Sequence, residues 1–306
     1  VPLAPSPEAT RVRPVLSRLA DIDRHISARM AQRPAMAALY EFLRFGLKQA
    51  WACLFGGIMV ALLIATRYAY PDNAGLYRYD FLFLAALAVQ AILLASRLET
   101  MDEAKVILLY HLTGTAMEIF KTAVGSWIYP EPAIFRIGGV PLFTGFMYSC
   151  IGSYICRAWR LFDFRFVSHP PLWMLTLLSG AIYINFFAHH YVPDVRLGLF
   201  AVSAVLFMRA QIHFRIWRRN RSMPLLLGFV LVAFFIWLSE NIGTFTRTWV
   251  YPNQLQSWSL VSLGKLGSWF LLLIVSYTMV AIVNKPRRLP GKPTSTSLRP
   301  NQGAGT

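Results

Sequence analysis

Eight apolar runs, each close to the ~20 residues an α-helix needs to cross a bilayer, dominate this 306-residue chain. They fall at about 47–67, 80–97, 105–126, 140–160, 172–191, 196–216, 224–246 and 261–283. A bilayer core offers the backbone no water, so segments of this kind must satisfy their own hydrogen bonds, and helices do that. The expected fold is all-α, a polytopic membrane bundle of about eight transmembrane helices. A mean hydropathy of +0.47, with only 14% of residues charged, fits that class. The net charge of +16 raises the question of nucleic acid, but the basic residues sit at the ends of apolar runs and no nucleic-acid motif is present, so none is expected as a partner. Cys53, Cys150 and Cys156 lie inside apolar segments without metal-ligand spacing and read as packing residues.

The distribution of Lys and Arg orients the chain. With both termini in the cytoplasm, the inner segments carry 22 basic residues and the outer segments seven, the bias that orients a multi-pass membrane protein. Tyr68, Tyr70, Trp127, Tyr129, Tyr191, Trp249 and Tyr251 fall near the outer boundary as an aromatic belt. Four regions follow. Residues 1–44 form a cytoplasmic segment, in which Leu16, Leu19, Ile22, Ile26 and Met30 oppose Arg18, Arg24, Arg29 and Arg33 on an interfacial helix over 14–33. Residues 45–162 and 163–284 each hold four spans, and the Pro-, Gly- and Ser-rich tail 285–306 is expected to be disordered.

Those two halves are related. Glu118 precedes Trp127 by nine residues, and Glu240 precedes Trp249 by nine. Both continue as Trp, β-branched residue, Tyr, Pro, so that Trp127, Tyr129 and Pro130 recur 122 residues later as Trp249, Tyr251 and Pro252. The same offset links Trp51 to Trp173, Pro71-Asp72 to Pro193-Asp194 and Gly145 to Gly267. Four spans per half is an even number, which predicts parallel repeats related by an axis along the membrane normal, with sites at their interface.

The candidate site follows from the carboxylates. An ionisable residue inside a membrane costs roughly 2.5–3.5 kcal/mol on insertion scales, so it normally faces the bundle interior and marks function. Glu118 and Glu240 are the candidate catalytic groups. His111, Asn185, His189 and Asn241, with Trp127, Tyr129, Trp249 and Tyr251, are candidate substrate-binding residues at the same depth. His111, Thr115, Glu118 and Thr122 form one stripe along the third span. A bland alternative is an ion pair within each helix, Lys121 with Glu118 and Arg247 with Glu240. His189-His190 lacks the spacing of a metal site, and no metal or cofactor is expected.

With those residues in view, the chain resembles an uncharacterised bacterial integral-membrane family, the domain of unknown function numbered eight hundred and seventeen. The segment HLTGTAMEIFKTAVGSWIYPEPAIFRIGGVPLFTGFMYS is its most specific part. That resemblance implies a membrane location and no activity. A weaker similarity is to hydratase-type membrane proteins of carotenoid biosynthesis, through Glu118, the Gly125–Tyr129 segment and Gly139-Val140-Pro141-Leu142. Trp127 stands where those proteins carry an aromatic hydroxyl. Two activities are therefore expected alternatives. One is acid–base hydration of an apolar, isoprenoid-like lipid by the two glutamates. The other is proton-coupled transport of a small solute. Membrane lipids are the expected surroundings in both, and the oligomeric state stays open.

Overall fold

A computed structural model describes residues 30, 33–71, 73–218, 220–287 and 289. Among the described residues the chain is mostly helical: α1 (Pro34–Ala52), α2 (Leu54–Ala69), α3 (Arg78–Ala95), α4 (Met101–Ala123), α5 (Phe143–Phe162), α6 (Leu172–Ala188), α7 (Arg196–Phe207), α8 (Leu225–Phe245) and α9 (Leu263–Asn284). Five short strands join them: β1 (Arg136–Ile137), β2 (Val140–Pro141), β3 (Arg165–Val167), β4 (Gln211–Arg215) and β5 (Asn220–Pro224). β1 and β2 form a hairpin, and β3-β4-β5 form an antiparallel sheet with Phe166 opposite Ile212 and Ile212 opposite Met223. The mostly helical class expected of the chain holds, with these short strands added between its helices.

Among the described residues three helices are long and apolar enough to cross a membrane, α3, α8 and α9, or four if the bent pair α1 and α2 counts as one. The sixth apolar run is not a full helix. α7 stops after 12 residues, about 18 Å at 1.5 Å per residue. The chain then extends into β4, where Ile212 and Phe214 alternate with His213 and Arg215. α4 carries Glu118 and Lys121, and α5 carries Arg157. All three are buried, whereas Asp102, Lys105 and Arg160, nearer the helix ends, are exposed.

The first run is also divided. α1 meets α2 at a 70° bend. Its polar side is tied down: Arg221 pairs with Glu41 at 2.7 Å, and Lys48 Nζ donates to the carbonyls of Leu161 (2.9 Å) and Arg215 (3.0 Å). Those anchors hold α1 across the sheet end of the bundle. Its exposed Leu39, Leu43 and Leu47, spaced at i, i+4, i+8, form an apolar stripe. Apart from Met30 and Arg33, the interfacial helix expected at 14–33 lies outside the described residues. Most of the tail after Lys285 also lies outside them. Its first part is ordered against β3, since Phe166 N donates to Arg287 O (3.0 Å) and Leu289 N to Phe166 O (2.8 Å).

The bundle has two polar ends. At the sheet end, fully buried Arg157 pairs with Glu99 at 3.0 Å. Glu99 also accepts from Ser153 Oγ (2.7 Å) and from Gln90 Nε2. At the opposite end, buried Asp80 accepts the backbone N–H groups of Ile134 and Phe135, both at 2.8 Å, and Arg78 pairs with Glu131 at 2.7 Å. These contacts fix the loop that carries the β1–β2 hairpin, next to both Trp-x-Tyr-Pro corners.

Candidate functional site

Each corner is made by the way its helix stops. α4 ends with Ser126 N donating to Lys121 O (2.9 Å) and Gly125 N to Thr122 O (3.1 Å). Gly125 is left-handed at φ +71°. This is a Schellman ending, which turns the chain back along the helix. α8 ends in the same way, with Thr248 N donating to Gly243 O (3.0 Å), Arg247 N to Thr244 O (3.0 Å), and Arg247 left-handed at φ +53°. A non-glycine residue there costs about 1–2 kcal/mol. Gly125→Ala is thus expected to destabilise the protein by roughly that amount and Arg247→Gly to relieve a comparable strain. Thermal unfolding in detergent reads both, and shifts of the same sign for the two variants would refute this account of the corners.

The reversal brings each tyrosine back to its glutamate. Glu118, 4% exposed, accepts from Trp127 Nε1 (2.7 Å) and Tyr129 Oη (2.5 Å) on Oε2 and from Tyr148 Oη (2.6 Å) on Oε1. Glu240, 5% exposed, accepts from Tyr251 Oη on Oε1 and from Trp269 Nε1 (2.6 Å) on Oε2. Tyr148 reaches Glu118 because α5 lies hard against α4 at Gly114. A Cβ there would be 2.6 Å from the Tyr148 ring. Every donor is neutral, and among the described residues no cation lies within ion-pair distance of either carboxylate.

The two cages interlock. Ile128 and Val250, which occupy matched positions in the two motifs, exchange backbone hydrogen bonds of 3.0 Å in an antiparallel bridge. Trp127, a donor to Glu118, packs edge-on against Tyr251, a donor to Glu240, with ring centroids 6.1 Å apart. Lys265 Nζ lies over both rings, at 5.2 Å from Trp127 and 4.4 Å from Tyr251. Both glutamates line one cavity of about 1160 Å³. From them it runs between α2, α5, α8 and α9 to Phe45 and Phe162 at the sheet end.

The other candidate residues divide by role. His189 lines the cavity, and its Nδ1 is 3.0 Å from Asn185 O. Asn185 itself serves the α6–α7 turn, donating to Asp194 (3.0 Å) and accepting Val195 N (3.2 Å). Asn241 bonds Trp237 O (2.8 Å) and Val261 N (2.9 Å), which anchors the segment leading into α9. His111 packs against Phe146 with the rings tilted by 49° and centroids 4.6 Å apart, and its buried Nδ1 has no hydrogen-bond partner among the described residues. Trp249 lines the cavity and packs over Gly243, without a hydrogen bond to Glu240. Neither helix neutralises its own glutamate. Lys121 Nζ is 2.8 Å from His190 Nε2 and 4.1 Å from the Phe186 ring, and Arg247 donates to Leu255 O at 3.3 Å.

Tyr148, Trp269 and Lys265 were not anticipated as site residues. A signal for the first two does exist: they follow the matched glycines Gly145 and Gly267 by three and two residues. Among the described residues no group of three or more His, Cys, Asp or Glu side chains gathers as a metal site.

Comparison with known proteins adds a family and no chemistry. Residues 41–277 match the family model described as "Protein of unknown function (DUF817)". The "Uncharacterized protein YoaT" of Bacillus subtilis (strain 168) is 44% identical over 246 residues, covering 80% of this chain and 92% of that protein. No solved structure matches.

Proposed function

We propose, for a chain that belongs to the DUF817 family, that it is an intramembrane enzyme using Glu118 and Glu240 for acid–base chemistry on an apolar, isoprenoid-like lipid. One observation carries the reading: two carboxylates held by neutral donors stand together at one end of a long, mostly apolar cavity. Its volume of about 1160 Å³ exceeds the ~300–1,000 Å³ typical of small-molecule pockets. An extended hydrocarbon chain accounts for that length.

The chemistry we assign is hydration of a C=C bond. A carboxyl proton passes to one alkene carbon, and the π electrons form the new C–H bond. Water then bonds through its oxygen to the cationic carbon, while its proton passes to the second carboxylate. Glu118, with three donors around it, suits the accepting base, and Glu240, with two, the acid. The faces of Trp127, Tyr251 and Trp269 are available to stabilise positive charge on carbon.

The membrane arrangement we propose has eight traverses, both termini in the cytoplasm, and two parallel repeats, in the inner membrane of a bacterium. α4 and α8 correspond at the 122-residue offset, as do α5 and α9, and the Ile128–Val250 bridge joins matched positions. α7 and β4 together make the sixth traverse. Arg196 lines the glutamate end of the cavity, while Ile212 and Phe214 line its sheet end. The backbone of β4 is paired on both edges, by β3 and β5, so this non-helical part needs no water.

Proton-coupled transport is the second reading, favoured by the paired carboxylates at the interface between the halves. Mass spectrometry of total lipid extracts separates the two. A lipid species that appears only when the protein is present, heavier than a host lipid by one water, supports the enzyme. Identical extracts with and without the protein sink it.

A further inference from the structure

We propose that Lys121 and Lys265 form a head-group site, and that the lipid held in the cavity is a prenyl chain ending in a phosphate. The inference deepens the reading of the cavity as an isoprenoid site and rests on it. Both ammonium groups line the cavity at its glutamate end. Lys121 is 3% exposed, yet among the described residues neither lysine has a carboxylate within ion-pair distance. They lie within electrostatic reach of one another. Other groups hold them instead: His190 Nε2 at 2.8 Å and the Phe186 face for Lys121, and the faces of Trp127 and Tyr251 for Lys265. Such contacts leave ammonium N–H groups free to donate to an anion.

A buried cation without a counter-ion is costly, and a bound anion removes that cost. Arg196 also lines this end of the cavity, but Asp194 engages it at 3.2 Å. Glu240 and Glu118 lie within electrostatic reach of Lys265 but not within ion-pair distance, their oxygens being hydrogen-bonded by tyrosines and tryptophans. With one of them protonated, as the acid–base reading requires, the two lysines and two glutamates sum to a single positive charge. A phosphate supplies the missing negative charge. Because Lys265 sits over Trp127, a donor to Glu118, a phosphate held there places the first isoprene unit beside the carboxylates.

Binding tests this without any assay of turnover. The full-length protein in detergent is titrated with geranylgeranyl phosphate, geranylgeraniol and inorganic phosphate, with native mass spectrometry or tryptophan fluorescence as the readout. The expected result is a preference of about tenfold or more for the prenyl phosphate over the alcohol. Lys121→Gln and Lys265→Gln should each reduce that preference sharply while leaving alcohol binding intact, and Lys265→Arg should retain it. Retained alcohol binding also shows that the variants are folded. Equal affinity for phosphate and alcohol overturns the head-group assignment but leaves the isoprenoid reading standing. A preference that survives in both glutamine variants overturns the assignment as well. Inorganic phosphate binding as tightly as the prenyl phosphate means a bare anion site, which overturns the lipid proposal. Failure to bind either prenyl compound overturns the isoprenoid reading together with it.

Discussion

Glu118→Gln and Glu240→Gln are each expected to lower formation of the hydrated lipid by about 10²–10⁴-fold, the usual contribution of a positioned acid or base. Glutamine keeps the volume of the side chain but neither releases nor takes up a proton at neutral pH. It also turns one acceptor oxygen into an NH₂ group. In the Glu118 cage that group would face a tyrosine hydroxyl or an indole N–H that only donates. Loss of product must therefore be read beside the amount of folded protein. Tyr129→Phe and Tyr251→Phe are the companion variants, since each removes one donor and leaves the carboxylate in place. They should give smaller losses. Matched strains carrying no protein, wild type, Glu118→Gln or Glu240→Gln provide the comparison. Undiminished product in either glutamine strain would remove that glutamate from the chemistry. A modified lipid absent from all four strains, wild type included, would shift attention to proton-coupled uptake.

The largest effect on stability is expected at the sheet end. Arg157→Met alone should cost about 3–5 kcal/mol, because it strands Glu99 as a buried charge without its cation. Glu99 lies at 3% exposure and its ion-pair partner Arg157 at 0%. Ser153 and Gln90 would remain as neutral donors to it. Combining Arg157→Met with Glu99→Met removes both charges and should recover most of the loss, as replacement of buried pairs by apolar residues often does. Chemical or thermal unfolding of the three variants in the same detergent gives the double-mutant cycle. A single-variant loss below about 1 kcal/mol would place the pair among weakly contributing contacts.

The sequence by itself determined the helical, apolar character of the chain and the pair of glutamates that the structure brings to one cavity. Runs near 20 apolar residues encode membrane-length helices through backbone solvation alone, and α3, α8 and α9 coincide with such runs to within two residues at each end. Two glutamates at matched positions, each followed by Trp-x-Tyr-Pro, were legible because helix endings are local. Gly125 and the residues beside it specify the reversal that returns Tyr129 to Glu118. Other features depended on neighbours distant in sequence. The bend between α1 and α2 follows from ties to Leu161, Arg215 and Arg221. The shortness of α7 follows from the pairing of β4 with β3 and β5, although the alternation of Ile212 and Phe214 with polar residues carried a faint period of two. Hydropathy counts side chains and is blind to which backbone groups find partners.

Only the tertiary structure decided which donors surround the carboxylates. Tyr148 and Trp269 come from α5 and α9, and their approach depends on how closely those helices pack. It also separated Lys121 from Glu118. Residues three apart on a helix are neighbours, so sequence spacing alone made an ion pair a fair expectation. Instead α6 presents Phe186, and the turn after it His190, to the ammonium, while Trp127 and two tyrosines claim the carboxylate. A side chain's partner is set by competition among all the groups that reach it, and most of those groups arrive from elsewhere in the chain.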